Sequence, residues 1–126
     1  LNQTSPIELI TTGIPALLAA KASGSEPFVL TISGVIADMP TAGMAAYGAS
    51  KAGLKSFVSA TQRELRREGI RMVDTRPPHT ETGLASRAIA GVAPTMPQGL
   101  DPEAVAARIV AAIVNDEKDV PAELFS

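Results

Sequence analysis

Apolar positions recur every three or four residues in three segments of this chain, and stretches rich in glycine and proline separate them. This spacing predicts three amphipathic helices, at residues 4–23, about 44–68 and about 101–115. In the first helix, Ser5-Pro6-Ile7-Glu8 indicates the start, with Ser5 as the capping residue. The buried stripe of this helix is predicted to consist of Ile7, Ile10, Ile14, Leu17 and Leu18.

Two short apolar runs, at residues 28–32 and 70–74, flank the second helix and predict buried strands. A strand, a long helix and a second strand form one βαβ crossover, which requires the two strands to be parallel. The helix between them is predicted to turn one stripe inward, made of Tyr47, Ser50, Lys51, Leu54, Val58, Thr61 and Leu65.

The part of the chain after the second strand has weaker periodicity. Residues 84–100 contain several glycines and prolines and predict a loop, and Asp101 is predicted to cap the last helix. Residues 119–126 hold at most one short edge strand. Because loops at the strand exits of α/β sheets commonly bind ligands, residues 84–100 are candidates for a substrate loop.

Composition and charge exclude several classes of function. The chain has 126 residues, no cysteine and a net charge of −2. With no basic block we expect no nucleic-acid partner, and with no thiolates we expect no metal centre of that kind. No apolar run is long enough to span a membrane, so we expect no membrane partner. The absence of cysteine is typical of a reducing compartment, and we expect a cytoplasmic location.

The strongest chemical candidate is the pair Tyr47 and Lys51 near the start of the second helix. Residues four apart share one helix face, so the ammonium group is expected beside the phenol. A neighbouring positive charge favours the phenolate and lowers a tyrosine pKa from its unperturbed value of ~10. Such a tyrosine can donate or accept a proton near neutral pH. A tyrosine and a lysine at this spacing, taken alone, are more often an inert pair, so the surrounding sequence has to distinguish the two interpretations.

That context resembles the short-chain dehydrogenase/reductase family, specifically the second half of the family's domain. The resemblance rests on Ile32-Ser33 at a strand end, a proline-led strand exit reaching Thr82, and an asparagine-containing helix start at residues 2–6. Its most specific part is the helix start Tyr47-Gly48-Ala49-Ser50-Lys51-Ala52-Gly53. The resemblance implies a Rossmann-like, doubly wound α/β fold with a parallel sheet, of which residues 1–126 form only the C-terminal half.

The resemblance also implies an activity, which is reversible hydride transfer between NAD or NADP and a carbonyl or alcohol substrate. Tyr47 would exchange a proton with the substrate oxygen, and Lys51 would lower the pKa of Tyr47 and bind the nicotinamide ribose. Asn2 would hold a water molecule that links Lys51 to a proton relay. Pro77 and Thr82 would lie by the cofactor, and residues 84–100 would cover the substrate.

Two positions depart from the family pattern. The family's serine is expected 13 residues before the tyrosine, where this chain has Gly34, and the nearest hydroxyl is that of Ser33. Neighbouring strand residues point to opposite faces, so Ser33 can serve as the catalytic serine only if the strand end twists or bulges. After the second strand, Pro77-Pro78-His79 replaces the usual Pro-Gly. We interpret His79 as a loop residue near the cofactor site, not as a catalytic base.

Residues 1–126 contain no glycine-rich phosphate loop of the kind found in a dinucleotide-binding half. A two-stranded sheet with three helices would also leave a bare sheet edge, so we expect another half or another chain to complete the fold. The alanine-rich outer faces of helices 4–23 and 44–68 are suited to pairing with a second copy, and the resemblance implies a homodimer or homotetramer. Two alternatives remain open, namely a non-catalytic scaffold or dimerisation protein and a truncated fragment without activity.

Overall fold

The computed structural model describes residues 1–87, 91–92 and 95–125. Its helices are α1 (Thr4–Ala22), α2 (Ala45–Leu65) and α3 (Pro102–Val114), and its strands are β1 (Phe28–Ile32), β2 (Arg71–Thr75) and β3 (Asp119–Val120). Short 3-10 turns occupy Val35–Ala37, Arg66–Glu68 and Ala122–Phe125. The order of elements therefore follows the predicted pattern, with a third strand in the tail.

The three strands form one parallel sheet in the order β1-β2-β3. Phe28 is paired with Arg71 and Ile32 with Thr75, so β1 and β2 are in register over their whole length. Parallel neighbours need a crossover, and α2 supplies it between β1 and β2 while α3 supplies it between β2 and β3. The arrangement confirms a Rossmann-like α/β sheet that is incomplete.

Alternate residues of β2 belong to different cores, because successive strand side chains point to opposite faces. Met72 packs in the cluster formed with α1 and α2, whereas Val73 packs in the cluster formed with α3. The first cluster contains Ile10, Leu54, Val58, Leu65, Ile70 and Met72. The second contains Val73, Val105, Ala112, Val120 and Phe125. The helices thus cover both faces of the sheet, as in a doubly wound fold.

Several predicted boundaries were wrong by one or a few residues. Helix α1 begins at Thr4 with Gln3 as its cap, so Ser5 is not the capping residue. Helix α2 ends at Leu65 and a 3-10 turn carries the chain to Gly69, which adopts φ 72°. Glycine tolerates this left-handed conformation, so the turn can lead directly into β2. The predicted cap of α3 is confirmed, since Asp101 Oδ2 accepts a hydrogen bond of 2.9 Å from Ala104 N.

Apolar side chains remain exposed on β1 and on the outer faces of the helices. Phe28 and Ile32 at the two ends of β1 are 41% and 49% exposed, and Leu9 of α1 is 75% exposed. Within the described part of the chain β1 pairs only with β2, so one edge of β1 has unpaired backbone groups. None of the described helices is both long and apolar enough to cross a membrane.

Replacing Met72 by alanine tests the packing between the sheet and α2. Met72 is 1% exposed, so Met72→Ala leaves a cavity and should lower the free energy of unfolding by about 2–5 kcal/mol. Met39 is 61% exposed, and Met39→Ala should change that free energy by less than about 0.5 kcal/mol. Urea denaturation of the full-length protein measures both. Equal effects of the two substitutions would contradict the described core.

Candidate active site

The candidate site lies at the carboxyl ends of β1 and β2, where α2 begins. Tyr47 is half-buried in the first turn of α2, after the cap residue Met44, whose carbonyl accepts a hydrogen bond of 2.7 Å from Gly48 N. The Tyr47 side chain lines a cleft of about 450 Å³ together with Asn2, Thr4 and Ser50. The structure therefore brings Asn2 and Tyr47, which lie far apart in the sequence, to one cleft.

Lys51 lies one helical turn after Tyr47, on the same face of α2. Its Nζ donates a hydrogen bond of 2.9 Å to the carbonyl oxygen of Ile32, the last residue of β1. The same Nζ lies 5.8 Å from the centre of the Tyr47 ring. This contact ties the start of α2 to the end of β1 and holds the ammonium group beside the phenol.

The electrostatics of the pair differ from the sequence-based expectation. Burial raises the pKa of Tyr47, which is the opposite of the predicted depression. Burial also lowers the pKa of Lys51, although the carboxylate of Asp74 opposes this change. The expected lowering of the Tyr47 pKa is therefore not found, because burial disfavours the charged phenolate.

Ser33 is not brought to the cleft. Its side chain is fully buried, and its Oγ donates a hydrogen bond of 2.7 Å to Oδ2 of Asp74. Ser33 is not among the residues that line the Tyr47 cleft, so its contacts do not support the predicted catalytic role. The physical reason is that Ser33 stabilises a buried carboxylate inside the sheet.

Gly34 occupies the position where the resemblance expects a serine. Its backbone has φ 77° and ψ 159°, a conformation that is nearly restricted to glycine. A Cβ built at this position would meet no atom within 4 Å. The space for a side chain is therefore present, but the backbone conformation disfavours any residue that has one.

A buried ionic network beside the site was missed by the sequence analysis. Asp74 of β2 accepts hydrogen bonds of 2.7 Å from Thr31 and Ser33 and of 2.9 Å from Arg76. Arg76 also donates to both carboxylate oxygens of Asp119, at 2.6 and 2.9 Å. The available signal was that Asp74 and Arg76 are charged residues two positions apart at a strand end, and therefore share one face.

Asp38 extends this network toward α2. Its Oδ2 lies 2.6 Å from Nε of Arg76, so the two groups form an ion pair. Asp38 also pairs with Lys55 of α2. Burial opposes the ionisation of Asp38, but the hydrogen bond from Lys55 and the two positive charges outweigh it and lower its pKa. The hydrogen bond to Asp119 and the neighbouring carboxylates raise the pKa of Arg76 above its ordinary value.

The strand exit after β2 holds the remaining predicted residues. The carbonyl of Pro77 accepts a hydrogen bond of 3.1 Å from Val35 N, and Thr82 is exposed on the following loop. His79 packs at the base of that loop, where its carbonyl accepts a hydrogen bond of 2.8 Å from Leu100 N. The interpretation of His79 as a loop residue agrees with these contacts. Of the predicted substrate loop, residues 88–90 and 93–94 lie outside the described residues.

The described side chains contain no cluster of three or more His, Cys, Asp or Glu groups that could hold a metal ion. The groups that line the cleft or lie beside it include the Tyr47 phenol, the Lys51 ammonium group and the polar side chains of Asn2, Thr4 and Ser50. These groups can exchange a proton and donate hydrogen bonds.

The family model described as short chain dehydrogenase matches residues 1–92. A dehydrogenase/reductase SDR family protein 7-like from Anopheles gambiae is 26% identical over 95% of this chain and 39% of its own length.

Solved structures give the same result for the fold. A short-chain dehydrogenase from Sphingobium yanoikuyae in complex with NADPH is 25% identical, with a TM-score of 0.81 over 96% of this chain and 45% of its own. A 3-ketoacyl-(acyl-carrier-protein) reductase from Brucella melitensis complexed with NADH is 21% identical, with a TM-score of 0.72 over 89% of this chain and 48% of its own. The chain spans less than half the length of each of these relatives.

The backbone at Gly34 can be tested by comparing two glycines. Gly34→Ala forces a side chain into the left-handed conformation and should lower the free energy of unfolding by about 1–3 kcal/mol. Gly13 lies inside α1 with open space at its Cβ position, so Gly13→Ala should raise that free energy by up to about 1 kcal/mol. Denaturant unfolding of both variants measures the free energy of unfolding, which should fall for Gly34→Ala and rise for Gly13→Ala. A neutral effect of Gly34→Ala would contradict the backbone described at this position.

The buried network can be tested at Arg76, whose side chain is 5% exposed. Arg76→Met leaves Asp74 buried without its positive partner and should lower the free energy of unfolding by about 3–5 kcal/mol. The matched control is Arg67→Met, because Arg67 is exposed and its loss should change that free energy by less than about 0.5 kcal/mol. Thermal or urea unfolding distinguishes these outcomes, and an Arg76→Met variant as stable as the control would disprove the network.

Proposed function

Because this chain belongs to the short-chain dehydrogenase family, we propose that it forms the catalytic half of an oxidoreductase that transfers a hydride between NAD or NADP and a carbonyl or alcohol substrate. The observation that carries the proposal is the placement of Tyr47 and Lys51 on one face of α2, beside the end of β1. The nucleotide-bound relatives support the choice of cofactor. The activity is proposed for the completed protein, since these residues match less than half of each relative.

The residues at this edge of the sheet fit the nicotinamide end of such a cofactor. Gly34 leaves open space at the end of β1, with no atom within 4 Å of a Cβ built there. Lys51 and Tyr47 would bind the ribose hydroxyls, and Pro77 and Thr82 would lie beside the nicotinamide amide. When bound, the cofactor supplies or accepts the hydride.

Tyr47 is proposed to move the proton that accompanies hydride transfer. In the reduction of a carbonyl, the Tyr47 hydroxyl donates its proton to the substrate oxygen, which becomes the hydroxyl of the alcohol. In alcohol oxidation the phenolate takes that proton back. Burial raises the pKa of Tyr47, so the group is protonated at neutral pH and ready to act as the acid. Asn2 lines the same cleft and is proposed to hold a water molecule of the proton relay.

The substrate oxygen is proposed to have one hydrogen-bond donor fewer than the family pattern provides. Ser33 is bonded to Asp74 and Gly34 has no hydroxyl, so neither residue supplies that donor. By analogy with the loss of one oxyanion donor, this reduces the rate by roughly 10²–10³. The same observation favours a second candidate function, in which the chain belongs to a non-catalytic relative that serves as a scaffold or dimer partner.

We also propose how the chain is completed. The free edge of β1, where Phe28 and Ile32 are exposed, would accept a strand from the missing N-terminal half. A cytoplasmic homodimer or homotetramer would form through α1 and α2, supported by the exposure of Leu9 and Leu18 on α1. Residues 84–100 would form the substrate loop.

Substitution at the tyrosine and the lysine tests the proposed activity in the full-length protein. With NADPH or NADH and a panel of small ketones and aldehydes, Tyr47→Phe should lower the reduction rate by roughly 10²–10⁴-fold, because the acid is lost. Lys51→Met should also lower the rate, since it removes the charge held at the Ile32 carbonyl. Oxidation of the reduced nucleotide, followed by absorbance, measures both.

Lys55→Met is the matched control, because Lys55 lies one turn further along α2 and pairs with Asp38, not with Ile32. This variant should retain the rate of the parent protein. An unchanged rate for Tyr47→Phe would remove Tyr47 from the mechanism. Tight nucleotide binding without any carbonyl reduction in the parent protein would favour the non-catalytic alternative.

A further inference from the structure

A second cavity lies at the opposite end of the sheet, where α2 ends and β2 begins. It has a volume of about 310 Å³, within the range of small-ligand sites. Four of the residues that line it are positively charged and one is negatively charged: Arg63, Arg66, Arg71, Lys118 and Asp116. The cavity is therefore strongly cationic in a chain whose net charge is −2.

Most of these positive charges are not neutralised. Arg71 NH1 pairs with Asp116 Oδ1 at 2.7 Å. Within residues 1–87, 91–92 and 95–125, Arg63, Arg66 and Lys118 have no carboxylate partner. Since like charges repel, three unpaired cations around one cavity raise the local potential and favour an anion.

A fifth cation lies at the margin of the cavity. Gly69, which lines it, is in contact with Lys21 of α1, because a Cβ built on Gly69 would lie 2.9 Å from Lys21 Cε. The cations come from α1, α2, the 3-10 turn after α2, β2 and the residue before β3. Their convergence is a consequence of the fold, since only Arg63 and Arg66 lie three positions apart.

The wall of the cavity is held in place by specific hydrogen bonds. Gln62 Nε2 donates to the carbonyls of Met72 at 2.9 Å and Lys118 at 3.2 Å, which ties α2 to the sheet and to the approach to β3. Arg71 NH1 donates to the carbonyl of Ile113 at 2.8 Å, and its guanidinium lies 5.4 Å from the centre of the Phe28 ring. Arg71 is thus positioned before any ligand binds.

This cavity is separate from the cleft at Tyr47. Tyr47 and Arg66 are 19 positions apart along α2 and the turn that follows it, which corresponds to about 28 Å at 1.5 Å per residue. A parallel sheet has its carboxyl ends at one edge and its amino ends at the other, and Arg71 begins β2. The cofactor proposed above would lie at the other edge.

We propose that this cavity binds a compact polyanion, either a phosphate compound or a polycarboxylate. Guanidinium groups bind phosphate and carboxylate oxygens with two parallel hydrogen bonds, and the small volume limits the ligand to a few heavy atoms beyond the charged groups. Arg63 and Arg66 bind the anion directly, Lys118 adds charge from the approach to β3, and Arg71 is held in place by Asp116 and the Ile113 carbonyl. This site is independent of the dehydrogenase activity proposed for Tyr47.

The test is calorimetric titration of the full-length protein with pyrophosphate and, separately, with citrate, in the presence of saturating NADP so that the dinucleotide site is filled. Binding of pyrophosphate alone assigns a phosphate ligand, and binding of citrate alone assigns a polycarboxylate. The double variant Arg63→Gln, Arg66→Gln should weaken that binding by about tenfold or more, because charge-assisted hydrogen bonds are lost. Lys118→Gln should also weaken anion binding, because it removes another positive charge from the cavity.

Arg67→Gln is the matched control, since Arg67 is exposed, lies next to Arg66 and does not line the cavity. It should leave the affinity unchanged, which separates a defined site from general attraction to a basic helix end. The proposal is overturned if neither anion binds, if the double variant binds as tightly as the parent, or if Arg67→Gln weakens binding as much as the double variant.

Discussion

The hydrogen bonds and ion pair made by the buried carboxylate of Asp74 determine how the ends of the strands are held together. The carboxylate is buried at the carboxyl end of the central strand and accepts hydrogen bonds from Thr31, Ser33 and Arg76. A buried charge is costly unless all of its hydrogen-bonding capacity is used, so these partners cannot move independently. Arg76 continues the network to Asp119 of β3. The ends of all three strands are therefore held together by one charge and its partners.

This network determines what the candidate site contains. Because Ser33 is bonded to Asp74, its hydroxyl is used inside the sheet and does not reach the cleft. The backbone then turns at Gly34 in a conformation that only glycine adopts readily. The fixed end of β1 also places the Ile32 carbonyl where Lys51 can bind it. The proposed chemistry thus rests on Tyr47 and Lys51, without a serine.

The local sequence pattern was sufficient to predict β1, the presence of α2 and the cap of α3, because those features depend on short-range periodicity and on one capping side chain. Placing Tyr47 and Lys51 on one face also needed only helical geometry. The burial of Ser33 depends on Asp74, which lies 41 residues away in the chain, and the pKa of Tyr47 depends on burial in the folded protein. No local pattern contains either. The network around Arg76 and the cationic cavity depend on tertiary contacts in the same way.

The most direct test of the central claim is the titration of Tyr47 in the full-length protein. A carbon-labelled tyrosine ring followed by NMR reports its pKa, and the signal is assigned by its loss in Tyr47→Phe. Without nucleotide, burial predicts a pKa above the ordinary tyrosine value. If the proposed cofactor site is correct, oxidised NADP would bring a positive charge close to the phenol and should lower that pKa. A Tyr47 pKa that does not respond to NADP would contradict the proposed role of this edge of the sheet.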